Sequence, residues 1–154
     1  MASFVNAGDV VAAAVEIERR GHAFYKKAAD QAAKADKEFF TFMAGEELRH
    51  EEIFRAMLDR LGGVSLPAGS DEAEYLDYVH GLLDSHTLFL PEQESLALKT
   101  PLYRALQFEK DSLVFFLELE TMVPDLEKKY VRQCADEERR HLRLLIKRWP
   151  PLGG

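Results

Sequence analysis

Glu46-Glu-Leu-Arg-His50 is a short stretch that recurs 91 residues later as Glu137-Glu-Arg-Arg-His141. In each copy a glutamate and a histidine stand three residues apart, which puts both side chains on one face of a helix. A single Glu-x-x-His would carry little information, because charged residues at this spacing are common on solvated helices. Two copies in a chain of 154 residues indicate an internal repeat.

The repeat extends beyond these two stretches to a further glutamate upstream of each. The shift of 91 residues pairs Glu18 with Glu109, Glu47 with Glu138, and His50 with His141. The two glutamates of each half are 29 positions apart, so the halves align without a gap. Two helical hairpins that match this closely can pack about a pseudo-twofold axis. Such an arrangement would supply two copies of one set of ligands.

All four repeated glutamates stand within apolar helix faces. The positions three, four and seven residues away from each of them are predominantly apolar, and they share its face of the helix. Burying one unpaired carboxylate costs several kcal/mol, so four would unfold a domain of ordinary stability. Two divalent cations would balance the four negative charges. The residues predicted to bind two metal ions are Glu18, Glu47, His50, Glu109, Glu138 and His141.

The types of ligand narrow the choice of metal. One glutamate from each of two helices, with Glu-x-x-His from each of the other two, is the pattern of di-iron and di-manganese carboxylate bundles. We therefore expect two iron ions, with manganese or zinc as alternatives. The competing interpretation, that these residues form surface ion pairs, leaves four carboxylates in apolar stripes without a counter-charge.

Helical signals dominate the chain, and strand signals are nearly absent. Long helices are predicted at 9–33, 36–61, 101–121 and 124–148, and a shorter helix at 71–84. Thr100 and Pro101 are expected to open the third long helix as N-cap and first helical residue. Gly62-Gly63 is expected to end the second in a left-handed cap. The segment 64–70 is predicted to be a loop, and 85–99 has no clear pattern.

Tight turns join the first two and the last two long helices into antiparallel hairpins. Residues 62–100 connect the hairpins and are long enough to cross the whole bundle. The predicted fold class is therefore all-α, a ferritin-like four-helix bundle with one long crossover connection that carries a short extra helix. Residues 1–154 are expected to form one domain.

Composition excludes several classes of partner. The net charge is −7 and no block of Lys and Arg stands out, which argues against nucleic acid and anionic membranes. Residues 1–9 lack the features of a signal peptide, and charges interrupt every long apolar pattern, so a cytoplasmic location is expected. Cys134 is the only cysteine, which excludes an intramolecular disulfide and a multi-cysteine metal site. We expect it to be a small core residue.

Other residues near the predicted ligands allow two interpretations. Tyr25 lies two turns after Glu18, where it would either hydrogen-bond a ligand or serve in electron transfer, or be a core residue whose hydroxyl is satisfied. His22 is expected in an outer or surface position. His80 and His86 lie outside the repeat and are expected at the surface. Solvated charges are expected at Glu46, Glu51, Glu52 and Glu137, whereas Arg49 and Arg140 are expected to hold carboxylates around the site.

The aromatic runs Phe39-Phe40-Thr-Phe42 and Phe115-Phe116 exceed what one helix face can bury. They are compatible with a homodimer interface or with the bundle core alone.

Three phrases of the sequence resemble a known family. They are Ile17-Glu-Arg-Arg-Gly-His-Ala-Phe-Tyr25, Glu46-Glu-Leu-Arg-His-Glu-Glu52 and Phe108-Glu-Lys-Asp-Ser-Leu-Val-Phe-Phe116. They are similar to the short, rubredoxin-free members of the rubrerythrin-like branch of the ferritin-like superfamily, over nearly the whole chain. The resemblance implies a di-iron bundle that reduces hydrogen peroxide or oxidises ferrous iron, with the same six residues as ligands.

The chain departs from rubrerythrins in two respects. Those with a rubredoxin domain carry four further cysteine ligands, whereas Cys134 stands alone here. An additional glutamate follows their third-helix ligand by one turn, where this chain has Ser112.

Three functions follow from these observations. The first is reduction of hydrogen peroxide with an external electron donor such as rubredoxin, which implies a role in oxidative stress. The second is oxidation of ferrous iron by dioxygen in an iron-handling protein. The third is a non-redox helical module for protein contacts, either metal-free or zinc-bound, and the buried carboxylates argue against the metal-free version.

Overall fold

A computed structural model describes residues 8–61, 72–90 and 100–149. The helices are α1 (Gly8–Gln31), α2 (Lys34–Arg60), α3 (Glu72–Asp84), α4 (Pro101–Met122) and α5 (Asp125–Lys147), with a short 3-10 helix (Thr87–Phe89) after α3. Every regular element within those ranges is a helix. The all-α prediction is therefore confirmed, and the bounds differ from the predicted ones by a few residues only.

The ends of the helices follow from their terminal residues. Thr100 caps α4, because its side-chain oxygen accepts a hydrogen bond from the backbone N–H of Tyr103 at 3.1 Å. Pro101 is the first helical residue, as predicted. At the end of α2, the N–H of Leu61 donates to the carbonyl of Met57 at 3.0 Å. The predicted glycine cap at 62–63, the loop at 64–70 and the segment 91–99 lie outside the described residues.

Two helical hairpins form the bundle. Short turns join α1 to α2 and α4 to α5, and the hairpins meet where α1 contacts α4 and α2 contacts α5. A bidentate ion pair ties the end of α2 to the start of α5, with Arg60 Nε and Nη2 at 2.9 and 2.7 Å from the two oxygens of Glu127. α3 packs on α4, and the 3-10 helix contacts both α4 and α1.

Two apolar clusters fill the two ends of the bundle. Because the hairpins are antiparallel, the start of α1 lies beside the end of α2, and the end of α4 lies beside the start of α5. The first cluster includes Val11, Ile17, Phe54, Met57, Phe116, Leu119 and Val131. The second includes Tyr25, Phe40, Met43, Ala105, Phe108 and Leu145. The four repeated glutamates occupy the sequence positions between the clusters, halfway along the bundle.

The aromatic runs divide between core and surface. Phe115 and Phe116 are completely buried in the first apolar cluster, so the interpretation as bundle core is confirmed for this pair. Phe42 remains half exposed at 50%, and the homodimer stays a prediction. None of the helices in the described part of the chain is both long enough and apolar enough to cross a membrane.

Candidate metal centre

The six predicted ligands meet between the two apolar clusters. They are Glu18 on α1, Glu47 and His50 on α2, Glu109 on α4, and Glu138 and His141 on α5. None of these residues is more than 2% exposed. The 29-residue spacing in each half places a glutamate of one helix opposite the Glu-x-x-His of its hairpin partner, and the two hairpins bring both sets together.

The ligand atoms form two overlapping groups, and within each group they all lie within 4.8 Å of one another. One group contains Glu18, Glu47, His50 and Glu138, and the other contains Glu47, Glu109, Glu138 and His141. Each group thus has one glutamate and one histidine of its own. Glu47 and Glu138 belong to both groups. Two metal ions bound here would share these two carboxylates.

Both histidines direct Nδ1 into the cluster. Nδ1 of His50 lies 3.5 Å from Glu18 Oε1 and 3.3 Å from Glu138 Oε1. Nδ1 of His141 lies 3.5 Å from Glu109 Oε1. The two rings stack with their centroids 5.7 Å apart and their planes 19° apart. The arrangement of the histidines therefore follows the twofold relation that the sequence repeat predicts.

The opposite ring nitrogens turn towards outer carboxylates. Nε2 of His50 hydrogen-bonds to Glu137 Oε2, and Nε2 of His141 lies 3.7 Å from Glu46 Oε1. The side chains of Glu46 and Glu137 are only 12% and 16% exposed. The prediction that these two are solvated charges is therefore wrong. Each faces a histidine of the other hairpin, a partner that cannot be recognised from the pattern of its own helix.

Two arginines hold the outer carboxylates, as predicted. Arg49 Nη2 donates to Glu137 Oε2 at 2.6 Å and to Glu46 Oε2 at 2.9 Å. Arg140 Nη2 donates to Glu46 Oε1 at 3.1 Å. Partial burial opposes ionisation of Glu46, but the ion pairs with arginine lower its pKa overall. The pKa of Glu137 falls to about 2, mainly because of its hydrogen bond to His50 and also because of Arg49. Negatively charged acceptors of this kind fix the orientation and tautomer of a metal-binding histidine.

Tyr25 makes one half of the site different from the other. Its hydroxyl donates to Glu109 Oε1 at 2.8 Å, so of the interpretations left open by the sequence the structure supports the hydrogen bond to a predicted ligand. Burial, followed by the charges of nearby glutamates, raises the pKa of Tyr25 well above its usual value, and the hydroxyl remains a donor. The repeat places Phe116 at the equivalent position near Glu18, and phenylalanine has no hydrogen to donate.

Gly21 provides the space that the shared carboxylate of Glu47 requires. A Cβ atom at Gly21 would lie 3.3 Å from both Cδ and Oε2 of Glu47. This distance is closer than ordinary van der Waals contact, so a side chain here would displace the carboxylate. The role of Gly21 was missed from the sequence, although its position one turn after Glu18 was the available signal.

His86 is buried, which contradicts its predicted surface position. It is 0% exposed, and its Nε2 lies 2.9 Å from Ser112 Oγ. The contact was missed because His86 follows α3 in the crossover, where no repeat or helical pattern fixes its place. His80 is partly buried, with Nε2 3.7 Å from Asp84 Oδ2. His22 contacts the carbonyl of Ala44 through Nδ1 at 2.8 Å, which agrees with an outer position.

The pKa values of the clustered glutamates are shifted by burial and by their neighbours' charges. Burial raises the pKa of Glu18 well above its usual value, and burial together with the charges of Glu18 and Glu138 does the same for Glu47. Burial also opposes ionisation of Glu138, but its contacts with His141 and His50 lower its pKa overall. Glu18 and Glu47 therefore favour the protonated form and Glu138 the ionised form in the metal-free protein.

Unpartnered atoms show that the donor set fits a pair of cations. Buried side-chain atoms without a hydrogen-bond partner include both oxygens of Glu18 and Glu138, Oε1 of Glu47, Oε2 of Glu109 and Nδ1 of both histidines. Buried polar atoms in proteins are nearly always satisfied. These atoms all belong to the two groups described above, and two cations would satisfy them together. A surface ion-pair interpretation of the six residues is incompatible with their burial.

The fold and the site define a class of protein: an all-α, ferritin-like bundle with a buried carboxylate–histidine cluster for two metal ions. The rubrerythrin family model matches residues 9–80, which include α1, α2 and most of α3. A crystal structure from Thermotoga maritima, described as a candidate ferritin-like diiron-carboxylate protein, matches with a TM-score of 0.65 and 26% sequence identity over 96% of both chains. No curated protein matched the sequence. The ferritin-like fold and the resemblance to rubrerythrins are thus confirmed.

Proposed function

We propose that this chain binds two iron ions and reduces hydrogen peroxide with electrons from an external donor. The observation that supports this most strongly is the pair of overlapping ligand groups that share Glu47 and Glu138. Each group offers oxygen and imidazole ligands, which suit iron and manganese and also accommodate zinc. The match to the rubrerythrin family and the description of the Thermotoga maritima relative favour iron.

When bound, two ferrous ions supply the two electrons that cleavage of the peroxide O–O bond consumes. The balanced reaction takes one hydrogen peroxide, two ferrous ions and two protons to two waters and two ferric ions. The protein holds the ligands for this chemistry in place. Glu137 hydrogen-bonds Nε2 of His50 and so keeps the Nδ1 lone pair of that histidine directed inward, and Tyr25 fixes Glu109 through the hydrogen bond at 2.8 Å.

The apolar clusters on both sides of the centre limit the access of water. Water exclusion strengthens electrostatic interactions within the site and reduces side reactions. The shared glutamates lie at 0–2% exposure, so their charges are poorly screened by solvent. This environment favours the binding of cations over the metal-free cluster.

An external donor must return the site to its ferrous state before a second peroxide can react. Such donors commonly carry iron bound by four cysteines, and Cys134 cannot form that centre within these 154 residues. Burial raises the pKa of Cys134 to about 12, so the thiol is also a poor nucleophile for redox chemistry. We propose a separate electron-transfer protein such as rubredoxin as the donor.

Stopped-flow absorbance tests this proposal. The reduced, iron-loaded protein is mixed without oxygen with excess hydrogen peroxide, and in a separate experiment with dioxygen. We expect rapid oxidation by about one equivalent of peroxide per metal pair, a stop, and renewed turnover when reduced rubredoxin is added. Glu138→Gln should abolish the fast phase, whereas Glu52→Gln, at an exposed site on α2, should retain it.

The other outcomes separate the competing functions. Oxidation by dioxygen that is much faster than oxidation by peroxide would favour the iron-handling function. Sustained turnover on NADH alone would contradict the need for a separate donor protein. A protein that reacts with neither oxidant, although it is folded, would favour the non-redox helical module.

A further inference from the structure

The segment after α3 places a buried histidine next to α4 that is not one of the six ligands. His86 is 0% exposed, and its two ring nitrogens make different contacts. Nε2 lies 2.9 Å from Ser112 Oγ, and Nδ1 accepts a hydrogen bond from the backbone N–H of Leu88 at 3.1 Å. Ser112 is itself only 3% exposed.

These contacts determine the direction of the hydrogen bond between His86 and Ser112. Nδ1 must be unprotonated to accept from Leu88, and burial lowers the pKa of His86 to about 4, so the ring is neutral at pH 7. A neutral imidazole then carries its hydrogen on Nε2. His86 therefore donates to Ser112 Oγ, and the hydroxyl hydrogen of Ser112 must point elsewhere.

The hydroxyl hydrogen of Ser112 has no acceptor among the residues that the structure describes, since His86 is the hydrogen-bond partner of its oxygen. A buried donor without an acceptor costs about 1–3 kcal/mol. Serine in a helix often donates to the carbonyl four residues earlier, but within the described ranges Ser112 makes no such bond. The donor is thus available to a group that the described residues do not provide.

The position of Ser112 in the repeat places it close to the ligands of the metal centre. Ser112 follows the ligand Glu109 by one helical turn, and the repeat pairs it with Gly21. A Cβ atom at Gly21 would lie 3.3 Å from the carboxylate of Glu47. By the same register of the repeat, we infer that Ser112 lies on the side of α4 that faces Glu138, the repeat partner of Glu47. The charge of Glu138 also acts on His86, which agrees with this placement.

We propose that Ser112, oriented by His86, donates a hydrogen bond to a small anion bound at the metal pair. This inference deepens the proposed function and rests on its two-metal site. It assigns His86 a positioning role, because its Nε2–H occupies the Ser112 oxygen and turns the hydroxyl hydrogen away from itself. The ligand class is a small anion with a lone pair that can accept this hydrogen bond.

A second contact of the same segment provides a matched control. The backbone N–H and Oγ1 of Thr87 both donate to Asp111 Oδ2, at 2.9 and 2.7 Å. These bonds attach the segment to α4 but involve neither His86 nor Ser112. Thr87→Val therefore weakens the attachment of the segment and leaves the proposed donor in place.

Azide binding to the oxidised, iron-loaded protein tests the inference by titration in absorbance. We expect Ser112→Ala to weaken azide binding roughly fivefold, the equivalent of one lost hydrogen bond. His86→Phe should weaken binding in the same direction, and adding it to Ser112→Ala should have little further effect, because the two residues act together. Thr87→Val should bind azide as the unsubstituted protein does. Elemental analysis of each variant should still find two irons.

Different results would overturn the role of Ser112 and the two-metal site. If Ser112→Ala retains two irons and unchanged azide affinity, the role of Ser112 is wrong and the two-metal site stands. Equal weakening by Thr87→Val would show that Ser112 acts only through folding of the segment, and would also overturn the role. An unsubstituted protein that holds two irons but binds no azide contradicts the inference as well. A protein that takes up no metal pair overturns both proposals.

Discussion

Adjacent glutamates on α5 occupy different environments at the scale of single residues. Glu138 faces inward with both oxygens unpartnered, whereas Glu137 contacts Nε2 of His50 and the guanidinium of Arg49. The same division separates Glu47 from Glu46 on α2. A charged side chain next to a ligand in sequence is therefore an orienting partner of a histidine across the hairpin interface.

This division predicts different losses of metal. Glu138→Ala should lose at least one of the two ions, because Glu138 belongs to both ligand groups. Glu137→Ala should keep both sites and weaken binding by about 10- to 100-fold, the effect typical of an outer partner. Metal content after dialysis, together with calorimetric titration, measures both. Equal losses in the two variants would show that the inward and outward faces are assigned wrongly.

The hydrogen bond of Tyr25 predicts an effect on stability. Tyr25→Phe leaves the buried Oε1 of Glu109 without its donor, which should lower the free energy of unfolding by about 1–3 kcal/mol in the metal-free protein. Tyr78→Phe is the matched control, because the Tyr78 side chain is 47% exposed and its bond to Glu118 spans 3.3 Å. That control should change stability by less than about 0.5 kcal/mol. Urea denaturation compares them, and similar effects of both would contradict the role of Tyr25.

At the scale of helices, alanine substitutions at two glycines distinguish the effect of helix propensity from the effect of displacing a ligand. Gly45→Ala should stabilise the protein by about 0.5–1 kcal/mol, since alanine favours a helix and no atom lies within 4 Å of the new Cβ. Gly21→Ala offers α1 the same propensity but forces the Glu47 carboxylate to move from its position 3.3 Å away. We expect metal affinity to fall about tenfold in Gly21→Ala only. Unchanged metal affinity in that variant would mean that Glu47 is free to shift.

The helices and the six clustered residues were predictable because the repeat encodes them locally. Spacing of 29 residues and Glu-x-x-His fix which faces meet in each hairpin. The outer carboxylates were not predictable in this way, because Glu46 and Glu137 find their histidines on the opposite hairpin. A usable signal was present, since both glutamates recur with Arg49 and Arg140 in the repeat.

The burial of His86 was not predictable from the sequence for a different reason. This histidine lies in a single-copy segment without helical periodicity, and its burial depends on how the crossover lies against α1 and α4. Arg20 helps to set that path, because its Nη1 donates to the carbonyl of Leu88 at 3.1 Å and its guanidinium lies 4.1 Å from the ring centroid of Phe89. Such contacts between distant segments have no local pattern.

At the scale of the whole molecule, the buried cluster links stability to pH. The raised pKa values of Glu18 and Glu47 mean that the folded, metal-free protein retains protons that the unfolded chain releases above about 4.5. Their stabilising contribution is therefore lost as pH rises through the folded-state values. Burial opposes protonation of His50, but Glu137 and Glu138 raise its pKa to about 11, so its contribution also declines above pH 6.5. The pKa of Glu137 is lowered, so its contribution to the stability of the folded protein does not change with pH above about 4.5.

Metal binding should oppose this loss. Metal ions require deprotonated ligands, so the rise in melting temperature caused by manganous ions should grow between about pH 5.5 and 7.5, whereas the protein with chelator should become less stable. Thermal unfolding at several pH values, with metal and with chelator, measures both trends. A melting temperature that is indifferent to metal, or a metal effect that shrinks as pH rises, would contradict the coupling between the cluster and folding.

The most direct test of the two-metal centre is anomalous diffraction at the iron edge from crystals of the iron-loaded protein. We expect two peaks per chain inside the bundle, one near Glu18 and Nδ1 of His50, the other near Glu109 and Nδ1 of His141. Glu47 and Glu138 should lie between the peaks and contact both. The absence of peaks among these six side chains, or a single peak at the protein surface, would contradict the two-metal centre.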